Sequence, residues 1–317
     1  MNLQELLEKL AKPSIKGVPN WMVGYFKRYS ISFADGLTDL ETNVFWLQSR
    51  NFTIDLRLPI LSQQVVAKSW EEYSTEELEI IGNYEGWAAL CDWSNETLSW
   101  RKSEASLQLH NRWSEPAILK RIGNCMIEFS PSGSYVEDWR LQPSKSGPLI
   151  GLRLIEERNI KTNQVNHLGG GVIICGDYAG LVLGRGNNIS TSSQEYNLLR
   201  TMAVEAHKNY KQLSLLFNFE TSLAQGSISE GYKIIMSTLP SRVGQPLFDT
   251  NGFEYDSTTK LIKQKFTVGN QLMERIFTID TIEQNVDFQQ NTNFTSESDE
   301  WYKREQQTLD RYSKPLF

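Results

Sequence analysis

From Trp21 to Pro59 short runs of aromatic and β-branched residues alternate with turn residues, the pattern of a β-meander. Trp21 to Phe33 predicts one strand, closed by a turn at Asp35-Gly36. Thr42 to Gln48 predicts a second, and Phe52 to Leu58 a third that Pro59 stops, because proline has no N–H to give a ladder. In the third strand the period of two puts Phe52, Ile54, Leu56 and Leu58 on one face and Thr53, Asp55 and Arg57 on the other. A three-residue loop at Ser49-Arg50-Asn51, with Asn51 left-handed, sets Trp46 facing Ile54 and Val44 facing Leu56. A two-residue loop flips the second strand and places Phe45 and Leu47 there instead.

The same alternation recurs along the chain. A leucine stripe at Leu3, Leu6, Leu7 and Leu10 predicts a short helix ending before Pro13. Ser74-Thr75-Glu76-Glu77 is a capping box that opens a helix running to Ile81 and ending at Gly82. Hairpins follow around Ser94-Asn95-Glu96, Pro131-Ser132-Gly133 and Gly269-Asn270. One long helix is expected from Gln194 to about Leu213, with Leu198, Leu199, Met202, Ala206 and Tyr210 inward. A Ser/Asn-rich acidic linker from Gln289 to Asp299 leads to a polar terminal helix. Val44-Phe45-Trp46-Leu47 before Phe52 and Arg57 is echoed by Val172-Ile173-Ile174-Cys175 before Tyr178 and Arg185, as a duplicated β plan or two unrelated hairpins would both produce.

These elements predict an all-β, mainly antiparallel fold with a few helices packed on it. The division expected is a first barrel half over 1–115, a second over 116–288 carrying the inserted helix 192–213, and a linker with terminal helix over 289–317.

Composition narrows the function classes. The 317 residues hold 32 basic and 38 acidic side chains, a balance that favours no polyanionic partner. Three cysteines, Cys91, Cys125 and Cys175, form neither a CxxC motif nor an even framework, which points to a reduced cytoplasm. No signal peptide or run of 18 apolar residues is evident, so a membrane is not an expected partner, and the charge balance makes nucleic acid an unexpected one too. Three dispersed histidines, His110, His167 and His207, have no ligand-spaced neighbours, and the glycine runs lack the Lys-Ser/Thr of a phosphate loop. No metal and no cofactor is therefore expected. Nine Trp, 12 Tyr and 14 Phe suit flat apolar ligands as well as strands.

At Phe33-Ala34-Asp35-Gly36, Val44–Gln48, Asp55–Pro59, Tyr135–Arg140 and Gly176-Asp177-Tyr178 before Arg185 the chain resembles an uncharacterised bacterial family with a two-barrel, lipocalin-like plan. The likeness spans about Trp21 to Arg185 and departs at Asp92-Trp93, where the family carries a Trp-His pair. It implies two lipocalin-like β-barrel halves in tandem and an apolar or aromatic small-molecule ligand.

Two pairs of residues are candidates for chemistry. Asp55 and Arg57 form an outer-wall salt bridge if the Phe52/Ile54/Leu56 face lines the lumen. If that apolar face is covered by the second half, they point inward and can anchor a carboxylate or polarise a carbonyl. Glu137 shares a strand face with Tyr135 and Trp139, a setting that raises a carboxyl pKa, although an edge strand can look the same. The expected catalytic pair is Glu137 and Arg57, with Trp46, Asp55, Tyr135, Trp139, Tyr178 and Arg185 around the substrate. The function expected is a metal- and nucleotide-independent cyclase, isomerase or lyase of specialised metabolism. A non-catalytic carrier or sensor with the same pocket is the alternative, and a homodimer is compatible with either.

Overall fold

The structure, a computed structural model, describes residues 1–14, 16–101, 104–110, 112, 115–189, 198–289 and 295–312. Strand makes up 46% and helix 20% of it. The strand pairings within it are antiparallel.

The first half begins with α1 (Leu3–Leu10) and the meander β1 (Gly24–Phe33), β2 (Thr38–Asp39), β3 (Asn43–Gln48) and β4 (Phe52–Leu58). After α2 (Thr75–Gly82) come β5 (Glu85–Ser94), β6 (Thr97–Trp100), β7 (Ala105–Ser106), β8 (Ala117–Ile122), β9 (Cys125–Phe129) and β10 (Tyr135–Leu141). Hydrogen bonding runs β1-β3-β4-β5-β6-β8-β9-β10 and returns to β1, a closed eight-stranded barrel with β2 and β7 added outside the ring. Closure comes from β10 lying along Phe26–Phe33 of β1, with a register shift between Arg28 and Ser30. The barrel therefore extends past the expected division at 115/116. Residues 117–141 complete it, β10 pairing along the edge of β1 that β2 and β3 leave open.

The second half is β11 (Gly147–Asn159), β12 (Val165–Cys175), β13 (Tyr178–Arg185), α3 (Leu198–Glu205), α4 (Tyr210–Leu216), β14 (Glu220–Ser227), β15 (Gly231–Ser237), β16 (Phe253–Asp256), β17 (Leu261–Val268) and β18 (Gln271–Val286). Its eight strands run β15-β14-β13-β12-β11-β18-β17-β16, and among the described residues the two end strands do not pair with each other. A terminal α5 (Ser296–Tyr312) has no buried residue.

Several local expectations hold. Both Ser74 and Glu77 bonds of the capping box are made. Asn95 and Glu96 take the positive φ that a two-residue hairpin needs. One does not. The long helix is broken: α3 ends at Glu205, Lys208 turns left-handed, and Asn209 caps α4 through Gln212 N–H. Its stripe is accordingly Leu199, Ala203 and Ala206, while Tyr210 is exposed. The expected start, Gln194 to Asn197, lies outside the described residues.

Of the two loop lengths open between β3 and β4, the two-residue one is found. Ser49 N–H bonds Phe52 O, so Trp46 faces Asp55 while Phe45 faces Leu56 and Leu47 faces Ile54. Asn51 keeps a negative φ, which leaves the three-residue geometry without its left-handed residue.

The outer face of β4 is buried against the second sheet. Leu47, Ile54 and Leu56 share one core with Ile173, Cys175 and Val182, and Leu47 and Ile54 close over the bare backbone of Gly180. Each such large side chain contributes about 1.5–3 kcal/mol when removed from water. The opposite face of the second sheet packs its own apolar core under α1, through Leu3, Leu6 and Leu7. Polar bonds join the halves at the β3–β4 turn: Arg50 grips Glu283 at 2.7 and 2.8 Å, and Ser49 and Asn51 reach Asp280 at 2.6 and 3.1 Å.

Candidate functional site

Covering the Ile54/Leu56 face by the second sheet decides where the other face points. Thr53, Asp55 and Arg57 line the barrel lumen, so the outer-wall reading of the Asp55–Arg57 pair is overturned. They are joined there by Trp46 of β3, Trp87 of β5, Trp100 of β6, Glu128 of β9, and Tyr135, Glu137 and Trp139 of β10. All these positions follow from strand parity in a closed ring, where inward residues of neighbouring strands stand opposite one another.

The tryptophans nearly fill the lumen. Trp46 meets Trp139 and Trp100 edge-on at centroid distances of 5.2 and 5.8 Å, and Trp87 meets Trp100 at 5.9 Å. The cavity left is about 20 Å³, room for one water. Trp87 Nε1, which finds no acceptor among the described residues, belongs to a side chain on its wall.

Charges are set among these rings in pairs. Arg57 donates to both oxygens of Asp55, at 2.8 and 3.3 Å. Arg28, carried on β1 just before the register shift, donates to Glu137 at 2.9 Å and to Asp39 at 2.6 Å. Glu128 has a different environment: its oxygens accept from the neutral donors Trp139 Nε1 at 2.9 Å and Tyr135 Oη at 3.1 Å. It stands directly opposite Glu137 across β9 and β10.

The protonation states follow from this arrangement. Burial, reinforced by the Glu137 charge, lifts the Glu128 pKa well above the ordinary carboxylate value. Burial also raises Asp55, with the Arg57 charge working against the rise. Burial alone would weaken the Arg57 charge, but Asp55, Glu137 and Glu85 outweigh it and raise its pKa. Tyr135 is pushed up by burial and by Glu128. Asp39 at the rim is held down: N–H bonds from Thr42 and Glu41 overcome its partial burial.

Above this filled lumen lies a cleft of about 770 Å³ at the barrel mouth. Its walls are the ends of β1 and β4, the segment Ser62–Val66, α2, and Arg200 of α3. Arg28, Arg57, Asp39 and Glu85 lie on its polar floor. Among the described residues Arg57 alone borders both the cleft and the inner cavity. Glu85 is its cross-strand partner on β5 and accepts from Arg112 at 2.7 Å.

Of the residues singled out from sequence, Trp46, Asp55, Arg57, Tyr135, Glu137 and Trp139 are thus gathered in one lumen, and Arg57 also reaches the cleft. Tyr178 and Arg185 are elsewhere. Tyr178 lies against Tyr25 at a centroid distance of 4.4 Å, outside the lumen. Arg185 spends its guanidinium on the carbonyls of Leu216, Ser106 and Leu107 at 2.7–2.9 Å, tying α4 and β7 to β13. Burial lowers its pKa to about 10. Sequence reasoning missed Arg28, Asp39, Glu85 and Glu128. The only signal for Glu128 was its place two residues after Met126 in an alternating strand.

Fold and site together define a closed β-barrel with a charged, tryptophan-filled lumen and an open mouth, an architecture compatible with small-molecule binding. No protein-family model, curated protein or solved structure matches the chain. Among the described residues no group of acidic, histidine and cysteine side chains is placed to hold a metal ion, and no helix is long and apolar enough to cross a membrane.

Proposed function

We propose that the protein binds an oxygen-bearing apolar or aromatic metabolite in the mouth cleft and acts on it by acid–base chemistry, as an isomerase, cyclase or lyase. The observation that carries this reading is the side-by-side placement of Arg57 and Glu85 on the cleft floor. Arg57 is oriented by Asp55 and meets the substrate oxygen. Glu85 takes a proton from the carbon beside the carbonyl, and the electron pair of that C–H bond moves toward the oxygen that Arg57 stabilises. Glu137, facing the inner cavity, acts by holding Arg28 in place rather than by touching substrate.

We read the barrel as lipocalin-like and the second sheet as the counterpart of its second half. A carrier of the usual lipocalin kind holds its ligand in the lumen; a cavity of about 20 Å³ favours use of the mouth instead.

The test is hydrogen exchange. Aromatic and aliphatic ketones are incubated with the protein in heavy water, and deuterium beside the carbonyl is followed by mass spectrometry. Exchange above buffer that is abolished in Glu85→Gln supports the enzyme. Ketones that bind but never exchange would return the protein to the carrier reading.

A further inference from the structure

The charges on the cleft floor and the exposed side chains around it select among oxygen-bearing ligands. Arg28 and Arg57 already face three carboxylates, those of Glu137, Asp39 and Asp55. Glu85 adds a fourth beside Arg57. Over its whole surface the cleft carries Arg28, Arg57 and Arg200 against Asp39, Glu77, Glu79 and Glu85. A free carboxylate placed on this floor would have to displace a carboxylate already bound to a guanidinium. It would also lose its own water without gaining an uncompensated cation. A neutral carbonyl needs only one N–H directed at it and adds no charge.

Around the mouth, apolar side chains stand in solvent. Phe33, Val66 and Ile80 line the cleft and are exposed, Val66 by 73%. They come from β1, the segment after β4 and α2, so the cleft edge is apolar on more than one side. Exposed apolar side chains gathered at one opening mark a binding surface.

We infer that the cleft takes a neutral carbonyl amphiphile, its oxygen on the Arg57 floor and its apolar chain running out over the Phe33/Val66/Ile80 edge, and that it discriminates against the corresponding carboxylic acid. The inference rests on the cleft being the ligand site, and the experiment separates the two.

Isothermal titration compares dodecan-2-one, butan-2-one and dodecanoate at neutral pH on the full-length protein. Dodecan-2-one binds about tenfold or more tightly than dodecanoate, since the acid must bury a like charge. It exceeds butan-2-one by at least about tenfold, through the chain laid on the rim. Replacing two exposed apolar lining residues, Val66→Ser with Ile80→Ser, weakens dodecan-2-one several-fold and leaves butan-2-one unchanged. Asp39→Asn, which frees part of Arg28, narrows the gap to dodecanoate. Dodecanoate binding as tightly as the ketone would overturn the class of ligand while leaving the cleft in place. Dodecan-2-one binding that ignores Val66→Trp would overturn the cleft itself.

Discussion

Glu128 is held in the lumen by a tryptophan and a tyrosine, with no basic side chain of the described residues bonded to it. Its raised pKa has a definite consequence for stability. Below about 4.5 it is protonated in both folded and unfolded chains. As pH rises from there, the unfolded chain releases the proton while the folded chain keeps it, so stability falls until the folded group itself ionises. Glu128→Gln keeps the shape and the bond accepted from Trp139 Nε1, turns an amide N–H toward Tyr135 Oη in place of the bond accepted from it, and cannot ionise. Its melting temperature is therefore predicted to gain steadily on the parent protein as pH rises through this window. A constant difference between the two, measured by calorimetry across that range, would show that Glu128 ionises normally.

Arg57 makes the opposite kind of prediction. Arg57→Leu strands the Asp55 carboxylate in the lumen and is expected to cost about 3–5 kcal/mol of stability. Adding Asp55→Leu should restore most of that loss, because the pair is then replaced rather than broken. Arg57→Lys keeps the charge but loses the planar two-point contact, so it should melt close to the parent and lose ligand turnover. Chemical denaturation of the three variants reads the stabilities, and the ketone deuterium-exchange assay reads the loss of turnover in Arg57→Lys. Recovery absent from the double replacement would mean that Arg57 is held by something other than Asp55.

Among the elements, the meander was legible because its signals are local: aromatic runs, Asp35-Gly36, the stop at Pro59, and the capping box at Ser74. Face sharing was legible too, since Asp55 with Arg57 and Tyr135 with Glu137 and Trp139 follow from a period of two. Which face is inward was not, because it depends on the second sheet covering Ile54 and Leu56 from more than a hundred residues away. Arg28 was hidden for a related reason: a register shift inside β1 puts it and Ile31, three residues apart, on the same side. The break at Lys208 overrode a helical stripe that continued correctly through Ala206.

The packing between elements gives its own test. Gly86 on β5 touches β14, and an added methyl would lie 2.6 Å from Thr221 Cβ. Gly86→Ala must therefore push the barrel and second sheet apart at that point, with an expected loss of about 1–3 kcal/mol. Urea denaturation should show the loss, and none is expected for alanine at Gly133, whose added methyl would meet open space, beyond the strain of its positive φ. Equal effects at both positions would leave the close approach without energetic weight.

For the molecule as a whole, a barrel with a filled lumen and a sheet locked to its outer wall presents chemistry only at an open end. The two halves share an apolar core and a buried Arg50–Glu283 bridge, so the second sheet braces the strand that carries Asp55 and Arg57. Ligand specificity would then come from the mouth, where α2, α3 and the segment after β4 meet. The most direct test is photolabelling with a long-chain ketone carrying a diazirine near the carbonyl, followed by peptide mapping. Labels on Val65, Val66, Ile80 and Tyr84, lost on competition with dodecan-2-one, are the predicted result. Labels on Trp100 or Trp139 inside the barrel, or on the second sheet with the cleft untouched, would contradict it.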